Sequence, residues 1–312
     1  MQNRRSFIKK TIAGAVVSGA FASPISLFAD TSAQQQLSVL HTNDVHSHIE
    51  PFADDDKKYP GLGGAEYRAS IFENIRKENN HTLIVDAGDI FQGTPYFNFF
   101  HGDLEIDLMN KMKYDAATIG NHDFDGGIDM LAKQISRSNF PFVNCNYDFT
   151  NTPVAGKVHK NIIIKKGKLK IGITGCGVEL NGLVPDNLFT NTKYLDPIGS
   201  VQEQVDILKH DKKCHLIVCL SHLGYKYDNT KISDVVLAQQ TNNIDLIIGG
   251  HTHTFLDAPA REKNKDGIEV LINQVGWAGV QIGRLDYLFK KSFSKKLSNH
   301  QTVIVDKKSR EN

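Results

Sequence analysis

Cysteine is scarce in this chain: Cys145, Cys176, Cys214 and Cys219 are the only four in 312 residues. So few, so widely spread, exclude a disulfide framework, and no CxxC pair marks a thiolate metal knuckle. Cys214 and Cys219 fall in one apolar run that reads as a strand. Five positions apart, they face opposite sides of it and cannot easily pair. An excess of one charge is also lacking. The formal net charge is +1, so no basic field points to a nucleic-acid polymer. No internal repeat or low-complexity segment follows the first 33 residues. Gly61-Leu62-Gly63-Gly64 is rich in glycine, but no phosphate-loop lysine follows, which leaves a plain helix-entry loop.

What is present is ordinary globular composition, 40% hydrophobic and 23% charged, enough for a sizeable core. The first residues have the layout of an export signal. Arg4, Arg5, Lys9 and Lys10 precede an apolar, small-residue stretch, and no acid occurs before Asp30. Arg4-Arg5 followed by Ser6, Phe7, Ile8 and Lys9 resembles the twin-arginine type, which implies a periplasmic destination. Gly14, Gly19, Ser18, Ser23 and Pro24 interrupt the stretch and argue against a stable membrane span. Cleavage after Ala33, with Thr31 two before it, suits a small-residue site better than Ala29 behind Leu27. The expected organisation is a signal over residues 1–33 and one catalytic domain over 34–312.

Apolar runs over 37–42, 82–86, 116–119, 142–145, 216–220 and 244–248 read as strands. Tyr67, Ile71, Phe72 and Ile75 line one face of a helix over 65–78. Asp196-Pro197 has N-cap and first-turn chemistry for a helix over 198–210. A hairpin over 162–174 turns at Lys166-Gly167-Lys168, whose lysines read as a solvated face. Later runs over 268–275, 281–289 and 302–305 lack intervening helices. The class is therefore α/β, with parallel units first and an antiparallel addition at the end.

Polar clusters follow five of these runs: NDVHSH, DAGD, GNHDFD, SHLG and GGHTH. Ligands collect beyond the carboxyl ends of strands in α/β sheets, so five such clusters suggest one site drawn from the whole sheet. Asp44 and His46 flank Val45, and His251 and His253 flank Thr252. In an extended segment each pair points one way. Oxygen and imidazole donors without thiolate suit zinc, manganese, iron or cobalt. Two such ions activate a water and stabilise both oxygens of a phosphoryl displacement.

On the segments LHTNDVHSHIEPF, DAGDIFQGTPYFNFF, ATIGNHDFDGG, SHLGYKYD, DLIIGGHTHT and GRLDY, the chain resembles the metallophosphatase domain of the 5′-nucleotidase family, within the calcineurin-like metallophosphoesterases. The resemblance runs in family order from about residue 37 to residue 287. It implies two packed mixed β-sheets flanked by helices, two divalent metal ions, and hydrolysis of phosphomonoesters, nucleotides above all, through a hydroxide bridging the ions. It further implies that Asp44, His46 and His253 hold one ion, that Asn121, His222 and His251 hold the other, and that Asp89 bridges them. His122 matches the family's non-ligand catalytic histidine and contacts substrate with Asn121. Asp125 orients His122. The family's C-terminal nucleotide-binding domain is not expected in this sequence, so the small phosphate ester is expected to need that surface from a separate chain or to be held without it.

Blander readings stand beside these. Asp44 alone is a turn residue, Asp125 alone a helix N-cap, and His222 alone a strand-end histidine. Asp86 reads as a structural acid. The remaining histidines, His41 and His48 among them, read as solvated or core-satisfied. Phe97, Phe99 and Phe100 read as core. Two other functions share the motifs: a cyclic-nucleotide or other phosphodiesterase, and a scaffold subunit with a vestigial site. The N-terminal pattern carries its own expectation. Replacing Arg4 and Arg5 by Lys keeps the charge and blocks export of the folded chain; unchanged delivery to the periplasm points instead to the general secretory route.

Overall fold

The computed structural model describes residues 34–310; the signal reading falls outside them. In chain order the strands are β1 (Gln35–Thr42), β2 (Thr82–Asp86), β3 (Ala116–Ala117), β4 (Tyr147–Asp148), β5 (Asn161–Lys166), β6 (Leu169–Gly177) and β7 (Lys193–Tyr194). They continue with β8 (Leu216–His222), β9 (Leu246–Gly249), β10 (Ala260–Lys263), β11 (Glu269–Asn273), β12 (Gln281–Phe289) and β13 (Lys295–Ile304). They form two mixed sheets, ordered β13-β12-β1-β2-β3 and β10-β11-β9-β8-β6-β5, with β4 and β7 as a small separate ladder.

Strand periodicity explains how the layers stack. Leu37 and Val39 of β1 face inward with Leu83 and Val85 of β2, against Ile171 and Ile173 of β6 and Val218 and Leu220 of β8. One apolar seam thus joins the two sheets face to face. Leu40 and Ile84 point the other way, onto Phe72 and Ile75 of the helix Ala65–Glu78 and Leu131 of the helix Ile128–Arg137. On the far side Ile217, Cys219 and Ile247 pack against Val201 and Val205 of the helix Pro197–Asp206 and Leu237 and Ala238 of the helix Asp234–Gln240. The order is helices, sheet, sheet, helices. Among the described residues no helix is long and apolar enough to cross a membrane.

Several local expectations meet a different outcome. The run 116–119 keeps only two strand residues, and 142–145 makes single bridges to Ala117 and His159. Asn144 turns the chain there: its Oδ1 accepts from the backbone N–H of Asn146 and Tyr147. In the late region β11 runs parallel to β9, while β12 and β13 pair antiparallel as expected, and β10, a strand not expected from the sequence, pairs antiparallel with β11. Cys214 lies before β8 rather than on it, and Cys219 faces Cys176, Sγ to Sγ 4.0 Å, with all four cysteines free. Phe97 is buried, but Phe99 and Phe100 are 78% and 48% exposed. Lys166 is not purely solvated; it pairs with Asp115 at 2.7 Å. The Asp196 cap holds, its carboxylate accepting from the N–H of Ile198 and Gly199.

At Gly175 of β6 the chain comes close to the segment that follows β3. A Cβ there would lie 2.4 Å from the Val143 carbonyl oxygen and 2.7 Å from Thr118 Oγ1. Backbone cannot yield as a flexible side chain does. Gly175→Ala is therefore expected to destabilise the protein by about 1–3 kcal/mol, the usual range for overpacking. An unchanged denaturant midpoint would contradict so close an approach.

Candidate metal centre

Each candidate ligand sits where a parallel strand stops. β1 ends at Thr42 and leads to Asp44 and His46; β2 ends at Asp86 and leads to Asp89; β3 leads to Asn121. His222 closes β8, and the chain after β9 carries His251 and His253. The clusters come from both sheets rather than from one, three from the first and two from the second. The extended-segment reason given for the Asp-x-His and His-x-His spacings does not hold. Asp44, His46, Asp89, His251 and His253 all have left-handed backbones, with φ between 49° and 73°. Such conformations are uncommon outside glycine and tend to gather at functional sites. The loops can draw together because Gly88 separates them: a Cβ there would meet Gly120 N at 2.6 Å and His222 Nδ1 at 2.9 Å.

The side chains converge as two triads. Asp44, His46 and His253 each present one ligand atom within 4.8 Å of the others, and so do Asp89, His222 and His251. His46 Nε2 is 3.1 Å from His253 Nε2. His253 Nε2 is 3.4 Å from Asp44 Oδ1. Asp89 Oδ2 lies 3.0 Å from His222 Nε2 and 3.7 Å from His46 Nε2, between the two groups. Asn121 Oδ1 is 2.8 Å from His251 Nδ1.

Proton bookkeeping shows that this arrangement fits a cation. The Ala87 carbonyl accepts from His222 Nδ1 at 2.7 Å, and the Gln92 carbonyl accepts from His46 Nδ1 at 3.1 Å. With Nδ1 protonated, each neutral ring turns a bare Nε2 lone pair toward buried carboxylates. His222 Nε2 is itself buried and makes no aligned hydrogen bond. Lone pairs aimed at carboxylates repel unless a positive charge lies between. The same repulsion acts on the ring's basicity: burial lowers it, but the Asp89 and Asp44 carboxylates prevail and push His222 up to about 10. A divalent cation would supply positive charge at the place where these donor atoms converge.

His122 is placed differently. Its backbone N–H donates to Asp89 Oδ1 at 2.8 Å, and its Nδ1–H donates to Asp125 Oδ2 at 2.8 Å. The Asp125 bond raises the imidazole above its ordinary range despite partial burial. The side chain is 41% exposed, unlike the enclosed His46 and His222. Asp125 does not cap the following helix, whose N-cap is Gly127. Asp86 binds Thr42 and the N–H of Gly88 and joins neither triad.

Asp123 is the residue that motif reading passed over. Fully buried, it accepts from four backbone N–H groups, those of Asp89, Ile90, Phe91 and Gly120. It therefore fixes the loop that aims Asp89. Burial first, and then the Asp89 charge, push its carboxyl up to about 7 against those donors. Its place between His122 and Phe124 was a signal that could have found it.

The family model for calcineurin-like phosphoesterases matches residues 37–255. The chain belongs to that family. As a calcineurin-like phosphoesterase it is 29% identical to the snake venom 5′-nucleotidase of Crotalus adamanteus, over 87% of this chain and 48% of that protein. It is 30% identical to the 5′-nucleotidase of Bos taurus, over 87% of this chain and 50% of the relative. The crystal structure of a 5′-nucleotidase precursor from Thermus thermophilus superposes with a TM-score of 0.78 at 29% identity, covering 88% of this chain and 55% of that one. The chain thus spans about half the length of these relatives. Calcineurin-like phosphoesterases work with two divalent ions, and the two triads are the candidate places for them among the described residues.

The geometry separates two kinds of substitution. Asp89→Asn should weaken the binding of both ions, because Asp89 belongs to one triad and lies 3.7 Å from His46 of the other. His122→Ala should leave metal content nearly intact and lower turnover by about 10²–10⁴-fold, the usual contribution of a positioned acid–base group. Metal analysis beside kinetics decides it; loss of both ions from His122→Ala would overturn the assignment.

Proposed function

We propose that this chain is a metal-dependent phosphoester hydrolase acting on phosphomonoesters, with nucleoside monophosphates as the preferred class. The observation that carries the reading is Asp89, a member of one ligand triad, reaching to 3.7 Å from His46 of the other, while its second oxygen accepts from the backbone N–H of His122, whose ring is bonded to Asp125. Asp44, His46 and His253 would hold one ion and Asn121, His222 and His251 the other, with Asp89 shared. Two divalent ions there supply Lewis acidity and water activation for in-line displacement at phosphorus.

The chain's own groups do the rest. With Nδ1 committed to Asp125, His122 keeps Nε2 to hold a proton for the departing oxygen. Asp125 fixes the tautomer and favours the protonated ring. Asn121 faces His251 through Oδ1, which leaves its Nδ2 hydrogens for a phosphoryl oxygen. Nucleotides are favoured because the relatives named above are 5′-nucleotidases. We further read residues 1–33 as a twin-arginine export signal and the periplasm as the working compartment, on the Arg4-Arg5-Ser6-Phe7 pattern. A nucleotide-binding surface supplied by a separate chain belongs to the same reading. Binding energy from remote parts of a substrate helps position the reacting centre, so such a chain would raise turnover as well as affinity.

The test strips the purified protein with chelator, restores manganese, zinc or cobalt, and assays nucleoside monophosphates, a cyclic nucleotide, a diester and an aryl phosphate. Each is run with the chain alone and with a candidate second chain. Metal-restored monoester hydrolysis is expected, with nucleotide selectivity rising when the partner is added. Preference for the cyclic nucleotide or diester transfers the chain to the phosphodiesterases. No hydrolysis of any ester under any metal sinks the enzyme reading.

A further inference from the structure

The ligand histidines are not all held in the same way. His46 and His222 each anchor Nδ1 on a backbone carbonyl. His253 shows no such bond among the described residues, and its side chain is 40% exposed. Its backbone is left-handed, at φ 50°, and its polar contacts, His46 Nε2 at 3.1 Å and Asp44 Oδ1 at 3.4 Å, are all made through Nε2, which leaves Nδ1 without the carbonyl anchor of the other two rings. One contact takes that place. The Trp277 indole lies parallel to the His253 ring, with planes 7° apart and centroids 5.7 Å apart.

Trp277 is itself fixed from several directions. Its Nε1–H donates to Tyr59 Oη at 3.1 Å. Tyr59 stacks on Phe255 at 6.2 Å, and the His48 ring meets the indole edge-on at 5.1 Å. The flanking backbone is bonded to the ligand loops on both sides. Ala278 N–H donates to the Asp44 carbonyl at 2.7 Å, Gly276 N–H donates to the Thr254 carbonyl at 2.9 Å, and Asn43 Nδ2 donates to the Gly276 carbonyl at 2.7 Å.

We propose that Trp277 is a positioning residue that holds the His253 imidazole, by stacking, in the orientation that ligation requires. The inference rests on the ligand role proposed for His253. A ligand histidine needs an orienting partner, and that partner is commonly a hydrogen-bond acceptor. A flat indole does the same work by restricting ring rotation, and it places no further acceptor on the ring beyond the Asp44 and His46 contacts at Nε2. The effect is local to the triad of Asp44, His46 and His253; the indole stacks on no ring of the triad of Asp89, His222 and His251.

The experiment titrates zinc and, separately, manganese into the chelator-stripped full chain and follows stoichiometry and affinity of each site. Trp277 is the only tryptophan, so its emission reports on the neighbouring site directly. In the unmodified chain, filling one ion site is expected to change the emission and filling the other to leave it alone. Trp277→Leu, which keeps apolar volume without a flat face, should lose about 10–100-fold in affinity at one site only, the range seen when partners of ligands are removed. Trp277→Phe should recover most of that loss, and Tyr59→Phe should show a smaller version of it. Equal weakening of both sites with a lowered apo unfolding midpoint would assign Trp277 a general packing role and overturn the proposal, as would wild-type affinities in Trp277→Leu. His253→Ala separates the layers: unchanged binding of both ions defeats the ligand reading itself, whereas one-site loss in His253→Ala but not in Trp277→Leu defeats the positioning role alone.

Discussion

Two buried carboxylates, Asp44 and Asp89, stand within 4.0 Å of the ring nitrogens of His46, His222 and His253, and the rest of the molecule is arranged around the charge that this requires. Burying an ionised carboxylate is costly unless it is paired and hydrogen-bonded. Part of the cost is offset by fixed donors: Asn43 Nδ2 and the His251 N–H on Asp44, the His122 N–H on Asp89. The remainder calls for a cation. The same carboxylates push the His222 imidazole up to about 10, and left-handed turns are tolerated at five of the candidate ligand positions.

The fold delivers these groups by stopping strands together. The apolar seam between Leu37, Val39 and Val85 on one sheet and Ile173, Val218 and Leu220 on the other sets the separation of the layers. The carboxyl ends of β1, β2 and β3 then meet those of β8 and β9. Asp123 and Asn43, neither of them in a triad, tie the loops into register. Asp123 gathers the turn that bears Asp89, and Asn43 joins the Asp44 turn to the backbone of Val275 and Gly276. Rigid elements thus carry the precision while the exposed His122 and His253 remain where a substrate can reach them.

Much of this was legible in the sequence because strand-end clusters repeat. NDVHSH, DAGD, GNHDFD, SHLG and GGHTH name the residues that the structure assembles, and the alternating apolar runs fix which elements they follow. What pattern could not supply was backbone conformation. Period-two spacing suggested that Asp44 and His46 project together from an extended segment, whereas both are left-handed and converge through turn geometry. Nor does spacing reveal that β1–β3 and β8–β9 lie in different sheets, since that depends on long-range pairing of β12 with β1 and β6 with β8. Phe99 and Phe100 read as core on composition alone, yet their short helix exposes them. Asp123 was hidden inside a motif whose flanking residues drew the attention. Trp277 lies outside the metal motifs, 24 residues after His253, and only the folded chain stacks them.

The central claim is that these seven side chains form two cation sites sharing one carboxylate. Crystals of the full chain loaded with manganese or zinc, measured at the absorption edge of that metal, test it most directly. Two anomalous peaks are predicted, one among Asp44, His46 and His253 and the other among Asn121, His222 and His251, with Asp89 touching both. A single peak, or two peaks away from Asp89, would contradict it.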